Sequence, residues 1–116
     1  MQIGKHGEEL AKNFLQKNGI EIVNMNYRTP YGEIDIVGKG RDQLIFFEIK
    51  TRTSQRFGDP EESITQKKKD ALINSCLQYL QEHDLFDCSW RIDVIAILKS
   101  KDHIQYNWIE NAITCE

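Results

Sequence analysis

Asp35, Glu48 and Lys50 are the residues of this chain whose types and spacing best suit chemistry on a phosphate. Asp35 lies in the segment GEIDIVG, and the other two lie in LIFFEIKTR. Carboxylate oxygens are preferred ligands of Mg²⁺ and Mn²⁺, and a shared ion would remove the repulsion between two close carboxylates. Such an ion polarises a phosphoryl group and generates hydroxide near neutral pH. A neighbouring ammonium offsets the charge that develops on the phosphate. The three residues therefore predict metal-dependent phosphodiester hydrolysis.

The register of a predicted hairpin would bring these side chains together. If the residue numbers of each opposed pair sum to 83, Asp35 lies across from Glu48, and Glu33 lies across from Lys50. Directly opposed side chains have Cβ atoms about 4.5–5.5 Å apart. A slip of one residue would expose the apolar residues of the other face, so the pattern favours this register. That face is predicted to carry Ile34, Ile36, Phe47 and Ile49.

A simpler interpretation treats these charges as solvated residues at strand ends. In that interpretation Glu33 and Lys50 form an ordinary cross-strand ion pair worth at most about 1 kcal/mol. Against it, the charges interrupt segments that resemble central strands, where a charge is costly unless it is paired or bound to a metal. The residues alone leave both interpretations open.

The elements that must position these residues follow from the hydrophobic pattern. Apolar residues at helical spacing predict helices over 4–18 and 66–82, with Gly19 ending the first and Thr65 capping the second. Strands are predicted over 20–27, 32–38, 44–52, 90–98 and 103–109, with a polar loop over 53–63. The order αβββαββ predicts a mixed α/β fold in one domain, residues 1–116.

The first helix offers a further acid. Glu8 shares a stripe with Ala11 and Leu15 on the border of the apolar face, so it is predicted to lean toward the sheet. Glu9 points nearly the opposite way and is predicted to be solvated. The alternative for Glu8 is that an acid in the first turn simply complements the helix dipole.

Composition limits the partners. The 116 residues contain 15 Lys and Arg against 18 Asp and Glu, a formal net charge of −3, which excludes indiscriminate phosphate adhesion by bulk charge. A local basic patch is still available from Arg28, Arg52 and Lys68, with a merely solvated surface as the alternative. Asp93, a charge in a buried strand, is interpreted as the partner of an arginine.

The remaining composition is that of an ordinary globular protein. The three cysteines have neither disulfide nor zinc-ligand spacing, and we expect no secretory leader and no membrane span. These features predict a cytoplasmic protein.

The chain resembles the YraN-type family of small bacterial proteins and, more distantly, the Holliday-junction resolvase branch of the restriction-endonuclease-like, PD-(D/E)xK nucleases. The matching segments are GKHGEELA at 4–11, NYRTPYGEIDIV at 26–37, FFEIKTR at 46–52, FGDPEESITQKK at 57–68, RIDVIAI at 91–97 and IENAI at 109–113. The resemblance implies a restriction-endonuclease-like fold, a mixed central β-sheet flanked by helices.

The same resemblance implies roles for individual residues. Asp35 and Glu48 would be Mg²⁺ or Mn²⁺ ligands, with the carbonyl of Ile49 as a further ligand. Lys50 would stabilise charge or orient water, and Glu8 would be an outer acidic contributor.

The predicted function is therefore a divalent-metal-dependent nuclease, with branched or otherwise structured DNA as its substrate. An RNA-directed nuclease would use the same site, and the sequence does not distinguish the two substrates. Resolvase-like proteins commonly act as two-fold dimers, which makes a homodimer the assembly that the resemblance suggests. The alternative function is a non-catalytic module that keeps the nuclease fold and binds nucleic acid or a protein.

Overall fold

A computed structural model describes residues 3–53 and 64–114 of the protein, so most of the predicted loop over 53–63 lies outside the described residues. The predicted order αβββαββ is confirmed. The elements are α1 (Ile3–Lys17), β1 (Glu21–Thr29), β2 (Gly32–Lys39), β3 (Leu44–Arg52), α2 (Gln66–Glu82), β4 (Trp90–Lys99) and β5 (Ile104–Ile113).

The strands form one mixed five-stranded sheet in the order β1-β2-β3-β4-β5. β3 and β4 run parallel and are connected through α2, whereas all other neighbours are antiparallel. A parallel pair needs a crossover connection, which α2 provides. The predicted mixed α/β class is confirmed.

Each helix covers one face of the sheet. Ala11 and Leu15 of α1 are fully buried in a cluster with Phe47, and Leu72 and Tyr79 of α2 are buried in a second cluster with Phe46. Successive residues of a strand point to opposite faces, so the neighbours Phe46 and Phe47 reach different helices. We call the two sides of the sheet the α1 face and the α2 face.

The helix ends are those that the sequence predicts. Gly19 adopts φ +87°, and its N–H donates to the Gln16 carbonyl at 3.1 Å, so it ends α1 in the left-handed conformation that glycine tolerates. The Thr65 hydroxyl accepts a hydrogen bond from the Lys68 N–H at 3.2 Å and caps α2.

The β2–β3 pairing has the predicted register, but β2 is irregular at Asp35. Ile36 pairs with Phe47, which sums to 83, and the β2–β3 ladder ends there. Ile36 packs on the α1 face, whereas Ile34 packs on the α2 face. The prediction that Ile34 and Ile36 share one apolar face is therefore wrong, because the alternation of side chains breaks between them.

Asp93 belongs to the fold, as predicted. Its fully buried carboxylate accepts hydrogen bonds from Arg91 Nε at 2.9 Å, Trp108 Nε1 at 2.8 Å and the Asn111 N–H at 2.8 Å. These bonds satisfy the charge and fix β5 against β4. In the described part of the chain, neither helix combines the length and apolar character that crossing a membrane requires.

Candidate functional site

The candidate site lies where β2 and β3 separate. Asp35 comes directly before Ile36, the first residue of β2 that pairs with β3. Its Oδ2 accepts a hydrogen bond from the backbone N–H of Ile49 at 2.8 Å. The carboxylate thus takes the position that a backbone carbonyl of β2 would have in a continued ladder. The N–H and C=O of a strand residue point to the same neighbouring strand. The Ile49 carbonyl therefore also faces the Asp35 side of β3.

Glu48 and Lys50 extend the site onto the α2 face. They share this face with Phe46, since residues two apart in a strand point the same way. Lys50 Nζ lies 3.6 Å from Glu48 Oε2, and each side chain is 16% exposed. The structure thus brings a carboxylate and an ammonium together beside Asp35, in a setting with limited access to water.

Two further acids, Glu8 of α1 and Glu33 of β2, lie close to Asp35. One carboxylate oxygen from each of Glu8, Glu33 and Asp35 lies within 4.8 Å of the other two. Asn26 links two of these acids: its Nδ2 donates to Glu8 Oε1 at 2.6 Å and to Glu33 Oε1 at 3.3 Å. Glu48 is not part of this three-acid group, but it is close enough for its charge to act on Asp35.

The close approach of α1 to β3 positions Glu8. A Cβ atom on Gly7 would overlap the Thr51 hydroxyl oxygen, so glycine at this position lets the helix pack close to the strand without displacing that side chain. Glu8 is half-buried and reaches β1, whereas Glu9 is exposed and pairs with Lys12 at 2.9 Å. The predicted difference between the two glutamates is confirmed.

Burial and neighbouring acids both act on the pKa of Asp35. Burial raises its pKa, and the negative charge of Glu48, with smaller contributions from Glu8 and Glu33, raises it further. The hydrogen bond from the Ile49 N–H opposes this rise, and the net result is a pKa of about 8 against an ordinary 3.8. Without a cation, the ionised form of Asp35 is therefore strongly disfavoured.

The acidic site opens into a cleft of about 320 Å³ between the β1–β2 turn and the start of α2. We call this space the cleft; Tyr31, Gly32, Glu33, Asp35, Glu48, Ile64, Lys68, Ala71, Leu72 and Ser75 line it. Acids contribute to its base, and apolar side chains of α2 form one wall. The shape gives a small molecule or a single polymer unit access to Asp35 and Glu48.

The three predicted basic contacts lie in different environments. Lys68 is exposed and lines the cleft. Arg28 is exposed on β1 and pairs with Glu33, Nε to Oε2 at 3.5 Å. Arg52 is half-buried at the end of β3, next to Leu98 of β4. Of the three, only Lys68 is among the described residues that line the cleft.

One pairing expected from the simpler interpretation is wrong. Glu33 does not face Lys50, because the β2–β3 ladder has already ended and Glu33 is opposite Arg28 in the β1–β2 ladder. The ammonium of Lys50 contacts Glu48 instead.

Asn26 is a residue of the site that was not predicted from the sequence. Its backbone φ is +53°, a conformation in which asparagine is several-fold enriched. The β1–β2 ladder pairs Met25 with Ile36 and Tyr27 with Ile34, and it passes over Asn26 and Asp35. An asparagine within a strand pattern signals this type of irregularity, but it does not identify which acids its side chain will contact.

Comparisons with known proteins give a family. Residues 7–97 match the family model described as Uncharacterised protein family UPF0102. A UPF0102 protein of Syntrophomonas wolfei is 40% identical over 111 residues, covering 96% of each chain. One from a Sulfurihydrogenibium species is 37% identical over 115 residues, covering 99% of this chain and 96% of the other. One from Beutenbergia cavernae is 40% identical over 99 residues, covering 85% and 84%. The resemblance to a family of uncharacterised small bacterial proteins is confirmed.

Proposed function

This chain belongs to the uncharacterised protein family UPF0102, and we propose that it is a divalent-metal-dependent nuclease that hydrolyses phosphodiester bonds in DNA. The observation that carries the proposal is the position of Asp35. Its carboxylate leaves the sheet ladder and meets the Ile49 N–H, beside the acid and the ammonium that β3 presents two residues apart. We propose with it a restriction-endonuclease-like fold.

The donor set fits Mg²⁺ or Mn²⁺. Asp35 and Glu48 supply hard carboxylate oxygens, and the Ile49 carbonyl faces the same side as Asp35. Burial and the negative charge of Glu48 raise the pKa of Asp35 to about 8, so the ionised carboxylate is costly and a nearby positive charge would favour it. A divalent ion held by these oxygens would offset that cost and would supply Lewis acidity at the phosphate.

The remaining residues have distinct roles in this proposal. Lys50 holds its ammonium near Glu48 and offsets the negative charge that grows on the phosphoryl oxygens during hydrolysis. The Glu8 carboxylate accepts a hydrogen bond from Asn26 and lies close to Asp35, where its charge contributes to the negative potential that attracts cations. Lys68 and the arginines Arg28 and Arg52 are the proposed contacts to the DNA backbone.

Cleavage assays test the activity. The purified protein is incubated in Mn²⁺ with plasmid, four-way junction and single-stranded DNA, beside Asp35→Ala. Glu8→Gln is compared with Glu9→Gln, because these neighbours on α1 have the same chemistry but only Glu8 is in the acidic group. We expect cleavage that Asp35→Ala abolishes, Glu8→Gln weakens and Glu9→Gln leaves unchanged. Equal cleavage by the wild type and Asp35→Ala would refute the proposal, as would intact DNA in every reaction.

Calorimetric titration tests the metal separately from the cleavage. We expect the wild type to bind Mn²⁺ and Glu48→Ala to have lost this binding. Glu110→Ala, which changes an exposed glutamate of β5, is the control and should bind Mn²⁺ as the wild type does. DNA binding that needs no metal, together with no heat from Mn²⁺, would identify a binding module instead of an enzyme.

A further inference from the structure

Tyr31 is an exposed aromatic side chain at the edge of the cleft. It lies in the turn between β1 and β2, and it is 53% exposed although its ring is large. It lines the cleft together with Asp35 and Glu48. An aromatic surface beside a polar site offers a planar face to a ring-shaped ligand.

The turn that carries Tyr31 is anchored in place. The Thr29 hydroxyl oxygen accepts hydrogen bonds from the N–H groups of Tyr31 at 3.1 Å and Gly32 at 3.2 Å. The same hydroxyl lies 2.8 Å from that of Ser75, a fully buried residue of α2. The turn is therefore tied to the helix that forms the other wall of the cleft. Such preorganisation lowers the entropy that is lost when a ligand stacks on the ring.

The cleft is chemically divided. Acidic oxygens of Asp35 and Glu48 lie on its sheet side, whereas Ile64 and Leu72, both buried, give it an apolar wall on the α2 side. Phosphate chemistry would use the acidic part with its metal, and a flat apolar group would suit the space between that wall and Tyr31. A nucleotide combines these two parts in one molecule.

The size of the cleft restricts which nucleotides can enter. Its volume of about 320 Å³ is near the lower end of the range for ligand pockets, which suits one nucleotide and not a stack of base pairs. A base inside a duplex must unstack and unpair before it can enter a pocket, and an unpaired base avoids much of this free-energy cost.

We infer that the cleft receives one unpaired nucleotide of a DNA strand and that Tyr31 is the residue on which its base stacks. This inference rests on the proposed function, because it assumes that the ligand is nucleic acid, and it adds a preference for unpaired DNA over continuous duplex. Lys68, an exposed cation that lines the α2 side of the cleft, is assigned to the strand's phosphates.

Binding without turnover tests the inference. Fluorescence anisotropy is measured in Ca²⁺ and in EDTA with a labelled single-stranded 20-mer, with the same strand in a blunt duplex, and with a duplex that carries one unpaired nucleotide. The variants are Tyr31→Ala and Tyr31→Phe. Phe86→Ala is the matched control, because Phe86 is a 58% exposed aromatic that is not among the described residues lining the cleft.

We expect the wild type to bind both probes with unpaired nucleotides at least about tenfold more tightly than the blunt duplex. Tyr31→Ala should weaken that binding by about 5- to 150-fold, the range measured for single base–aromatic stacks, and leave duplex binding unchanged. Tyr31→Phe, which keeps the ring, and Phe86→Ala should both bind as the wild type does. A 2-aminopurine at the unpaired position should lose fluorescence on binding to the wild type and not on binding to Tyr31→Ala.

The inference is overturned if the wild type binds duplex and single strand equally, or if Tyr31→Ala weakens all probes to the same extent or none of them. Its outcome is separate from that of the nuclease proposal. Tyr31-dependent binding of unpaired DNA without any metal-dependent cleavage would support the inference and refute the nuclease. Asp35-dependent cleavage together with Tyr31-independent binding would support the nuclease and overturn the inference about Tyr31.

Discussion

Replacing Asp35 by asparagine should stabilise the metal-free protein at high pH. Asparagine has nearly the same shape, and its side-chain oxygen can still accept the hydrogen bond from the Ile49 N–H. It cannot carry a negative charge beside Glu48. Because the pKa of Asp35 is raised in the folded protein, the folded state holds a proton that the unfolded chain has released. The wild type therefore loses stability as the pH rises toward 8.

The structure sets the size of this effect. A carboxyl pKa raised from 3.8 to about 8 corresponds to a cost of about 6 kcal/mol once the group is ionised in the folded protein. Between pH 5 and pH 8 the cost grows by about 1.4 kcal/mol per pH unit, or about 4 kcal/mol in all. The cleft admits water and salt, which screen the repulsion, so we expect about half of that, roughly 2 kcal/mol.

Urea unfolding in EDTA at pH 5 and pH 9 measures the difference. The quantity compared is the free energy of unfolding of Asp35→Asn minus that of the wild type, which should increase by roughly 2 kcal/mol between the two pH values. Asp42→Asn, at an exposed residue of the β2–β3 turn, should give the same value at both. Saturating Mn²⁺ should reverse the order, since an ion at 100 times its Kd stabilises the wild type by about 2.7 kcal/mol and the variant lacks the ligand.

An equal difference in unfolding free energy between Asp35→Asn and the wild type at pH 5 and pH 9 would contradict the raised pKa of Asp35. So would a variant that is the less stable protein at pH 9 in EDTA. Either result would mean that burial and the neighbouring acids do not disfavour the ionised form of Asp35 in the folded protein, and no cation would be needed to offset its charge.

Three further substitutions test how the site is built. Asn26→Gly keeps the backbone at φ +53° but removes the amide that holds Glu8, so calorimetry should record roughly tenfold to 100-fold weaker Mn²⁺ binding with an unchanged melting temperature; unaltered affinity would contradict this role. Gly7→Ala should destabilise the protein by about 1–3 kcal/mol in urea unfolding, because its Cβ meets the Thr51 hydroxyl, and Thr51→Ala in the same chain should recover much of the loss. Thr65→Ala should cost about 1 kcal/mol through loss of the α2 cap, and a loss below about 0.3 kcal/mol would count against the cap.

Much of the fold could be predicted because its signals are local. β3 and α2 have the predicted bounds, residues 44–52 and 66–82, since a continuous apolar run and a capped amphipathic pattern are each complete within one segment. The register sum of 83 was also predicted and is confirmed for residues 36–39 against 44–47, although the uniform apolar face on which the prediction relied is not found. Asp93 was correctly interpreted, since a charge in a buried strand needs a partner.

The end of the β2–β3 ladder could not be predicted. The alternation of side chains continues through GEIDIVG in the sequence, but in the structure Ile34 and Ile36 pack on opposite faces. Asn26 of the neighbouring strand β1 adopts a left-handed backbone conformation. The Asp35 carboxylate accepts a hydrogen bond from the Ile49 N–H, as a backbone carbonyl in the sheet would. The alternation of residue types in the sequence therefore does not predict where the alternation of side-chain direction breaks.

By itself, then, the sequence determined the elements, the register of β2 against β3 and the presence of Asp35, Glu48 and Lys50 near one strand end. Only the tertiary structure decided that Glu8 and Glu33 converge on Asp35. That convergence depends on how closely α1 packs on β3 and on the break in the side-chain alternation of β2 between Ile34 and Ile36. Both are set by contacts between residues distant in the chain, and the spacing of residues within one segment carries no information about them.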